Sequence, residues 1–461
     1  MFKFVTFVRS VPRSQFELLK TTTSTNATQK YSFSKTANCL SVNTAIKSSS
    51  ELPKKCDVLI IGGGGFGSSS AYWLKKKAGN DLNVVVIEKD CTYTKASTPL
   101  SVGGLRQQFS FPENIQMSLY GAEFFEIVKD HLGDCELNFK PNGYLILASD
   151  SGATNLLSNA KTQKELGAQN VVLTPEKLKE IFPWINTEGV ALGCYGLEKE
   201  GWFDPWALLM GFKNTAREHG ANYVDGEVVE FGFEAKPEGQ QMKKAVVKLT
   251  NGEKQSIDFE KCVIAAGACS GDVGKLAGLG NGEGLLSFAL PVEPRKRFVY
   301  VFDCQGENAP GLKTPLTIDP NGTYFRRDGE GGNYLCGRSP ECTCEPSVDD
   351  LEVDFSFFEE EIWPTLAHRV KAFESIKIRS SWAGFYEYNT FDENGIIGRH
   401  PYYQNLYIAT GFSGHGIQQT PAVGRAISEL ILDGRFTTID LTRLGFDRIV
   451  NNKPMPEVHI F

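Results

Sequence analysis

Apolar residues occur in short blocks along the chain, and their spacing alternates between strand-like and helix-like patterns. Residues 57–61 form a compact apolar run that predicts a strand, residues 66–77 predict a helix, and residues 83–87 predict a second strand. A strand, a helix and a strand within about 30 residues indicate a β-α-β unit. The ordered part of the chain therefore opens with a piece of a parallel sheet.

Buried-strand patterns return in the middle and near the end of the chain. Residues 262–266 precede Gly267, and residues 406–409 precede a glycine-rich loop and a helix predicted over 419–432. Further helices are predicted over 113–132, 206–219 and 354–373, and residues 151–182 are predicted to be helical with loops. Further strands are predicted over 143–148, 223–231, 244–249, 256–259, 298–302, 324–327 and 334–336.

This distribution predicts an α/β fold made of two interleaved domains. One is a Rossmann-like domain, and the other is a smaller α+β domain built on an antiparallel sheet. The predicted boundaries are 1–50 for a leader and linker, 56–145, 200–290 and 381–434 for the Rossmann-like domain, 146–199 and 291–380 for the smaller, substrate or cap domain, and 435–461 for a C-terminal tail.

Charge is distributed unevenly along the 461 residues. Residues 1–50 carry seven basic side chains and one acidic one, Glu17, and they are rich in Ser and Thr. This composition is typical of a mitochondrial transit peptide, while the alternative is a tail that carries no address. The remaining residues contain 41 basic and 54 acidic side chains, a net charge of −13. An acidic body argues against a nucleic-acid partner.

Composition limits two further classes of function. No run of 18 or more apolar residues occurs, so no transmembrane segment is predicted. The 11 cysteines are scattered and odd in number, which argues against a disulfide framework. Cys336, Cys342 and Cys344 lack the paired spacing of a zinc site, so no metal site is predicted.

The glycine-rich turn after the first strand is a dinucleotide fingerprint. Residues 61–67 read I-G-G-G-G-F-G, with Gly62, Gly64 and Gly67 at the fingerprint positions. Gly62 permits the tight turn, Gly64 lets a pyrophosphate approach the backbone, and Gly67 lets the helix pack on the sheet. The helix that follows directs free N–H groups and the positive end of its dipole towards the phosphates.

An acidic residue completes this fingerprint. Glu88 ends the second strand, 21 residues after Gly67, where a carboxylate is expected to bind ribose hydroxyls. A 2′-phosphate would be repelled there, which argues against NADP. FAD and NAD both remain compatible with the fingerprint alone.

A second glycine-rich loop distinguishes between these two cofactors. Residues 411–418 read G-F-S-G-H-G-I-Q, follow a strand and open a helix, so they offer backbone N–H groups to an anionic acceptor. The N1–C2=O edge of a reduced flavin is such an acceptor, and it lies far from the phosphates. An NAD-dependent dehydrogenase is the alternative, and it has no evident need for this second loop.

At this point the chain resembles the D-amino-acid oxidase superfamily, in the branch of the sarcosine oxidases and dimethylglycine dehydrogenase. The motifs that carry the resemblance span about residues 56–434. They are the fingerprint with Glu88, G-G-L-R at 103–106, G-W-F-D-P at 201–205, A-A-G at 265–267, P-V-E-P-R-K-R at 291–297, F-D-E-N-G-I-I-G at 391–398 and the 411–418 loop.

The resemblance implies FAD as the cofactor and assigns roles to matching positions. Arg106 would lie near the flavin, Val228 would contact adenine through its backbone, and Gly267 would lie near the pyrophosphate. The alternatives are a salt bridge for Arg106 and simple packing for His415. The implied FAD-binding residues are Gly62, Gly64, Gly65, Phe66, Gly67, Glu88, Lys89, Gly104, Arg106, Val228, Gly267, Gly411, Ser413, Gly414, His415, Gly416, Ile417 and Gln418.

The chain departs from the family where relatives attach FAD covalently. Those relatives use a His before the glycine pair or a Cys shortly before a Tyr. Residues 97–101 contain no His, and Gly384 stands where that Cys would be. We therefore expect noncovalent FAD.

The chain also departs from the family at substrate positions. Sarcosine oxidases hold the substrate carboxylate with a Lys and an Arg where this chain has Gln418 and Phe109. Losing two cations weakens carboxylate binding, because charge-assisted hydrogen bonds are the strong ones. Their oxygen-activating Lys and a nearby His map loosely onto Leu335 and Ser339, which suggests a dehydrogenase or no turnover. Candidates for catalysis are Arg338, Tyr386 and Gln418, with Arg326 and Arg327 as further cations.

Two functions follow from the resemblance. One is an FAD-dependent dehydrogenase that takes a hydride from an amine or an N-methyl amino acid. The other, implied by a mitochondrial group within this branch, is assembly of respiratory complex I (NADH dehydrogenase), with complex I subunits or assembly factors as partners. The implied location is the mitochondrial matrix, or the matrix face of the inner membrane through peripheral association.

Overall fold

The computed structural model describes residues 51–236 and 239–458. The predicted leader, residues 1–50, therefore lies outside the described residues. No helix among the described residues is long and apolar enough to cross a membrane.

Seventeen strands lie in the described parts of the chain, numbered in chain order. They are β1 (Lys55–Ile61), β2 (Val84–Glu88), β3 (Gly104–Leu105), β4 (Tyr144–Ala148), β5 (Asn170–Leu173), β6 (Leu192–Gly196), β7 (Gly201–Trp202), β8 (Asn222–Lys236), β9 (Gly239–Leu249), β10 (Lys254–Ile264), β11 (Val292–Asp303), β12 (Leu316–Ile318), β13 (Tyr324–Arg327), β14 (Asn333–Gly337), β15 (Lys377–Asn389), β16 (Ile396–Arg399) and β17 (Leu406–Thr410).

Eleven α-helices accompany them within the same described ranges. They are α1 (Gly65–Ala78), α2 (Pro112–Glu126), α3 (Val128–Leu132), α4 (Ala153–Glu165), α5 (Pro175–Ile181), α6 (Pro205–Glu218), α7 (Ser270–Leu276), α8 (Phe355–Phe357), α9 (Trp363–Arg369), α10 (Thr420–Leu432) and α11 (Asp447–Val450). A π-helical segment, Phe358–Ile362, joins α8 to α9.

The first sheet contains the parallel strands expected of a Rossmann-like fold. β8, β2, β1, β10 and β17 lie side by side in parallel, and β16 adds an antiparallel edge. Apolar side chains on β1 and β2 are almost completely buried, because one face packs against helices α1 and α6 and the other against side chains of the β8–β9–β10 meander. The predicted α/β class is confirmed.

The topology of this sheet locates a binding site. β1, β2, β10 and β17 end at Ile61, Glu88, Ile264 and Thr410, and parallel strands bring those ends to one edge. The two glycine-rich segments follow directly after β1 and β17, and the A-A-G segment, residues 265–267, follows β10. Ligands of open α/β sheets bind at that edge.

The second sheet has the order β15-β11-β14-β13-β12-β4-β6-β5 and is antiparallel except for the β12–β4 pair. One face packs against the helical segment 355–374 through an aromatic cluster. Phe302 and Tyr334 stack at 5.3 Å, and the ring of Phe373 meets the ring of Tyr334 edge-on at 4.9 Å. Burial of such large rings dominates the stability of this layer.

Four strands of this sheet, β5, β6, β12 and β15, were not predicted. β5 interrupts the segment 151–182, which was expected to be helical, because its four residues pair with β6. β15 is the long partner of β11, from the Val292–Asn389 pair to the Asp303–Lys377 pair. Its half-exposed polar side chains hide the strand pattern, and pairing with β11 determines its conformation. The division into domains remains a prediction.

Candidate functional site

The turn from β1 into α1 has the geometry that the fingerprint requires. Gly62 adopts φ +97°, a backbone conformation that favours glycine. A Cβ on Gly67 would lie 1.8 Å from the carbonyl oxygen of Gly62, whereas a Cβ on Gly64 would meet nothing closer than Thr98 Oγ1 at 3.5 Å. Gly67 is therefore needed for packing, and Gly64 leaves open space for a ligand beside the backbone.

Glu88 holds this turn in place. Its Oε2 accepts a hydrogen bond from the N–H of Gly63 at 2.7 Å, and its Oε1 accepts one from Asp90 at 2.9 Å. Burial raises the pKa of Glu88, and the two backbone hydrogen bonds partly counter this by stabilising the charged form. The carboxyl group lies in the wall of a cavity at the sheet edge.

This cavity has a volume of about 790 Å³ and runs along the carboxyl ends of the strands. One end is bordered by Gly226, Glu227 and Val228, and the other by Gly414, Gly416 and Ile417. The predicted FAD-binding residues in its wall are Gly62, Gly64, Gly65, Phe66, Glu88, Lys89, Val228, Gly267, Gly414, Gly416 and Ile417. Because its wall extends from β8 past the turn after β1 to the loop after β17, the cavity fits an extended dinucleotide.

The remaining predicted FAD-binding residues lie behind the wall. They are Gly67, Gly104, Arg106, Gly411, Ser413, His415 and Gln418, and their cofactor roles remain predictions. Gln418 is buried, and its side-chain oxygen accepts a hydrogen bond from the Arg106 N–H at 2.7 Å. Its amide nitrogen donates to the His415 carbonyl oxygen at 3.3 Å. Gln418 thus ties the G-G-L-R segment to the 411–418 loop.

The Arg106 side chain contacts residues of its own segment, Gln108 and Phe109. Its guanidinium lies over the ring of Phe109, 4.3 Å from the ring centroid, and Nη1 donates to the Gln108 carbonyl oxygen at 2.5 Å. The Phe109 ring in turn lies 5.4 Å from the His415 ring. A salt bridge was the alternative role for Arg106. In the structure its guanidinium instead contacts an aromatic ring and a carbonyl oxygen.

The candidates for catalysis are separated in space. Tyr386 lines the cavity, and its ring packs so closely on Gly414 that a Cβ there would lie 2.4 Å from a ring carbon. Arg338 lies away from the cavity wall and pairs with Glu361 at 2.9 Å. Arg326 donates twice to the Val102 carbonyl oxygen, at 3.1 and 2.9 Å. Leu335 is buried in a small apolar cluster. Of the candidates Arg338, Tyr386 and Gln418 and the further cations Arg326 and Arg327, only Tyr386 lines the cavity.

Sequence reasoning missed several residues of the wall. Thr98 accepts a hydrogen bond from the Gly65 N–H at 3.1 Å, and Thr420 packs against the same glycine. Arg297, Tyr324 and Glu387 lie at the end near Gly414. Arg297 ends the 291–297 motif, and Glu387 directly follows Tyr386, a residue already considered for catalysis. A charged residue within or beside such a segment was the signal that could have identified both.

Comparison with known proteins agrees with this geometry. The family model described as "FAD dependent oxidoreductase" matches residues 57–430. The chain belongs to this family of FAD-dependent oxidoreductases. FAD is the cofactor of the family, and the predicted resemblance and cofactor are confirmed. The residues that would hold FAD here are the fingerprint glycines, Glu88 and the cavity-lining part of the 411–418 loop.

Individual relatives extend over most of the chain. FAD-dependent oxidoreductase domain-containing protein 1 homolog of Drosophila melanogaster is 50% identical over 418 residues, covering 88% of this chain and 80% of the relative. Mitochondrial dimethylglycine dehydrogenase of Mus musculus is 26% identical, covering 85% of this chain and 44% of the relative. The crystal structure of L-proline dehydrogenase from P. horikoshii is similar with a TM-score of 0.73 and 27% identity, covering 88% of this chain and all of that one.

Neither of the two positions where relatives attach FAD covalently carries a His or a Cys in this chain. Gly384 stands in the wall where a Cys would attach FAD, and residues 97–101 offer no His. We expect acid denaturation of the purified holoprotein to release all of its FAD into the supernatant. Yellow colour that stays with the precipitated protein would contradict noncovalent binding.

A second prediction concerns Glu200, a completely buried acid behind the G-G-L-R segment. Its carboxylate accepts from the Gln107 N–H at 2.6 Å and from Gln108 Nε2 at 2.8 Å, yet burial raises its pKa to about 7. Because folding raises this pKa, protonated Glu200 adds to the unfolding free energy at pH values below its unfolded pKa. That added stability is lost as the pH rises through the folded pKa of about 7. We expect Glu200→Gln to reduce the fall in unfolding free energy between about pH 5 and pH 8 by about 3 kcal/mol. Denaturant titrations at several pH values measure this, and parallel curves for variant and wild type would contradict it.

Proposed function

We propose that this chain is a mitochondrial flavoprotein that serves the assembly of respiratory complex I, with FAD retained as part of its folded structure. Residual oxidoreductase activity is compatible with this role. The observation that carries the proposal is the chemistry at the two positions where amine-oxidising relatives hold a substrate carboxylate.

Neither position offers a cation. Phe109 is buried and packs between the Arg106 guanidinium and the His415 ring. Gln418 is buried, and both ends of its amide are engaged by Arg106 and His415 backbone groups. An anionic substrate would lose its hydration shell without gaining a charge-assisted hydrogen bond from these positions.

FAD still has a purpose in a protein without turnover. A ligand that binds only the folded state stabilises it by mass action. The cavity is bordered by segments from the start, the middle and the end of the described chain, so bound FAD would connect them. A surface that depends on this fold could then bind complex I subunits or assembly factors.

Two observations support the mitochondrial location. The predicted transit composition of residues 1–50 is one. The other is the similarity to a dimethylglycine dehydrogenase that is itself named as mitochondrial. The matrix, including the matrix face of the inner membrane, is the proposed compartment.

The alternative function is an FAD-dependent dehydrogenase for an amine or an N-methyl amino acid. It is favoured by the groups at the Gly414 end of the cavity, where Tyr324 and Tyr386 line the wall beside Arg297. The Arg297 guanidinium lies 5.3 Å from the Tyr386 ring centroid, but it is paired through two nitrogens with Glu345 at 2.7 and 2.9 Å. Similarity to dimethylglycine and L-proline dehydrogenases also favours a substrate of this class.

Two measurements on the full-length protein separate the functions. Anaerobic mixing of the holoprotein with N-methyl amino acids and cyclic amino acids should leave the flavin absorption band unchanged. Cells that lack the protein should lose assembled complex I on native gels, and the wild-type chain should restore it. Bleaching by a donor together with normal complex I levels would reject the assembly proposal in favour of the dehydrogenase.

A cofactor variant shows whether FAD matters for assembly. Gly64→Ala is expected to fold without binding FAD well, because its Cβ occupies the open space beside the turn. We expect it to restore complex I poorly. A matched surface variant, Lys177→Met, should restore it fully, since the Lys177 side chain pairs with Glu180 where both are exposed.

A further inference from the structure

One carboxyl group lies between the A-A-G segment, residues 265–267, and the 411–418 loop. Glu387, on β15, accepts a hydrogen bond from Thr410 Oγ1 to its Oε2 at 3.0 Å and from the Phe412 N–H to its Oε1 at 3.4 Å. A Cβ placed on Gly416 would lie 3.2 Å from Oε1, and one placed on Gly267 would lie 4.0 Å from Oε2. The carboxyl group therefore borders both the segment predicted to lie near the pyrophosphate and the loop predicted to hold the flavin.

This carboxyl group is buried without a compensating cation. Glu387 is 8% exposed, and no ion pair includes it in the part of the chain that the structure describes. The titratable and charged side chains that line this end of the cavity are Arg297, Tyr324 and Tyr386 in the second sheet and Cys269 after β10, and the loop adds His415. The strand β11, whose Pro294 pairs with Glu387, also carries Glu293, Arg295 and Lys296. Arg297 is paired with Glu345 and lies beyond the Tyr386 ring.

Burial in this setting disfavours the charged form. It raises the pKa of Glu387 to about 7, and the hydrogen bonds from Thr410 and the backbone amides of Phe412 and Gly411 lower it only in part. Near neutral pH the carboxyl group is therefore poised between its two protonation states. A negatively charged ligand that displaces water from the cavity would push it further towards the neutral form.

We propose that Glu387 takes up a proton from solvent when FAD binds, so that the protein holds its cofactor more tightly as the pH falls. The negative charges of the pyrophosphate and the exclusion of water by the bound cofactor both act against a carboxylate in this wall. The neutral carboxyl group offers an O–H donor that the carboxylate lacks. This inference concerns retention of FAD and does not depend on the assembly role or on turnover.

The sign of the effect follows from linkage. A group that is more protonated in the complex than in the free protein makes affinity fall as the pH rises above its free pKa, which is about 7 here. At a pH below that pKa, Glu387 is protonated in both the free protein and the complex, so the affinity for FAD does not change with pH. The dissociation constant should rise by up to about tenfold per pH unit above about pH 7, until the pKa of the complex is reached.

Calorimetric titration of the full-length apoprotein with FAD tests the proposal. Comparing two buffers of different ionisation enthalpy at about pH 8 gives the number of protons taken up, and we expect close to one. Glu387→Gln, which cannot titrate, should bind FAD with almost no proton uptake and with a dissociation constant that varies little between about pH 6 and pH 9. Glu387→Asp should keep the uptake.

Controls separate Glu387 from the other buried acids. Glu200 is buried with a pKa also raised to about 7, but it lies outside the described cavity wall, so Glu200→Gln should leave proton uptake unchanged. Glu88 lines the cavity, and uptake at that residue would persist in Glu387→Gln. Persistent uptake in Glu387→Gln, or binding of FAD to wild type and Glu387→Asp without any uptake, would overturn the proposal.

Discussion

Replacing Gly67 by alanine is expected to abolish both stable folding and FAD binding. The new Cβ would lie 1.8 Å from the Gly62 carbonyl oxygen and 3.3 Å from the Ile60 side chain. Neither the backbone of the turn nor the buried strand can move away without separating α1 from the sheet. We expect a loss of more than about 4 kcal/mol in the free energy of unfolding. Denaturant titration and flavin absorbance of the purified variant measure the two effects.

Gly64→Ala provides the matched control for this prediction. Its Cβ would meet only Thr98 Oγ1 at 3.5 Å, an ordinary contact, and the Gly64 backbone has φ −67°, which alanine adopts freely. This variant should fold with nearly wild-type stability in the apo form and bind FAD at least about tenfold more weakly, about 1.4 kcal/mol. Wild-type FAD affinity in Gly67→Ala, or unfolding of Gly64→Ala, would contradict this account of the turn.

Removing the Arg448 guanidinium is expected to lower the free energy of unfolding almost as much as Gly67→Ala does. Arg448 and Asp392 are completely or almost completely buried and form two hydrogen bonds, at 2.7 and 3.0 Å. Arg448→Met would leave the Asp392 carboxylate buried without its cation, which costs about 3–5 kcal/mol. Thermal or denaturant unfolding of the holoprotein measures this loss.

The same variant should also weaken FAD binding. Asp392 accepts from Asn389 Nδ2 at 2.8 Å, and the Asn389 N–H donates to Ser413 Oγ at 3.0 Å, so the pair supports the 411–418 loop. Lys177→Met, at an exposed pair with Glu180, is the control and should change stability by less than about 0.5 kcal/mol. If Arg448→Met and Lys177→Met lost the same unfolding free energy, burial of the Arg448–Asp392 pair would not explain its contribution to stability.

Several features of the site could be predicted because their signals are local. The fingerprint glycines, Glu88 and the strand before each glycine-rich segment lie within short stretches whose periodicity and residue types determine the turn. The cavity wall contains Gly62, Gly64, Glu88 and part of the 411–418 loop, in keeping with those signals. The expected flavin-side position of Arg106 depended on resemblance alone, and its side chain lies on Phe109.

Other features could not be predicted because they arise from long-range pairing. The β15 strand carries few continuous apolar residues, and its strand conformation follows from pairing with β11. That pairing brings Arg297, Tyr386 and Glu387 to the cavity. The raised pKa of Glu387 depends on burial by segments from three distant parts of the chain, which no local pattern reports.

The amino-acid sequence by itself determined the dinucleotide turn, the acid beside it, the second glycine-rich loop and the family, because each depends on neighbouring residues with characteristic spacing. The tertiary structure decided which polar groups meet. Gln418 reaches the Arg106 N–H across 312 residues, and Glu387 is buried between Gly267 and the 411–418 loop, outside the ion pairs of the described residues. The physical reason is that desolvation and hydrogen bonding depend on what surrounds a group in space, which chain position alone does not specify.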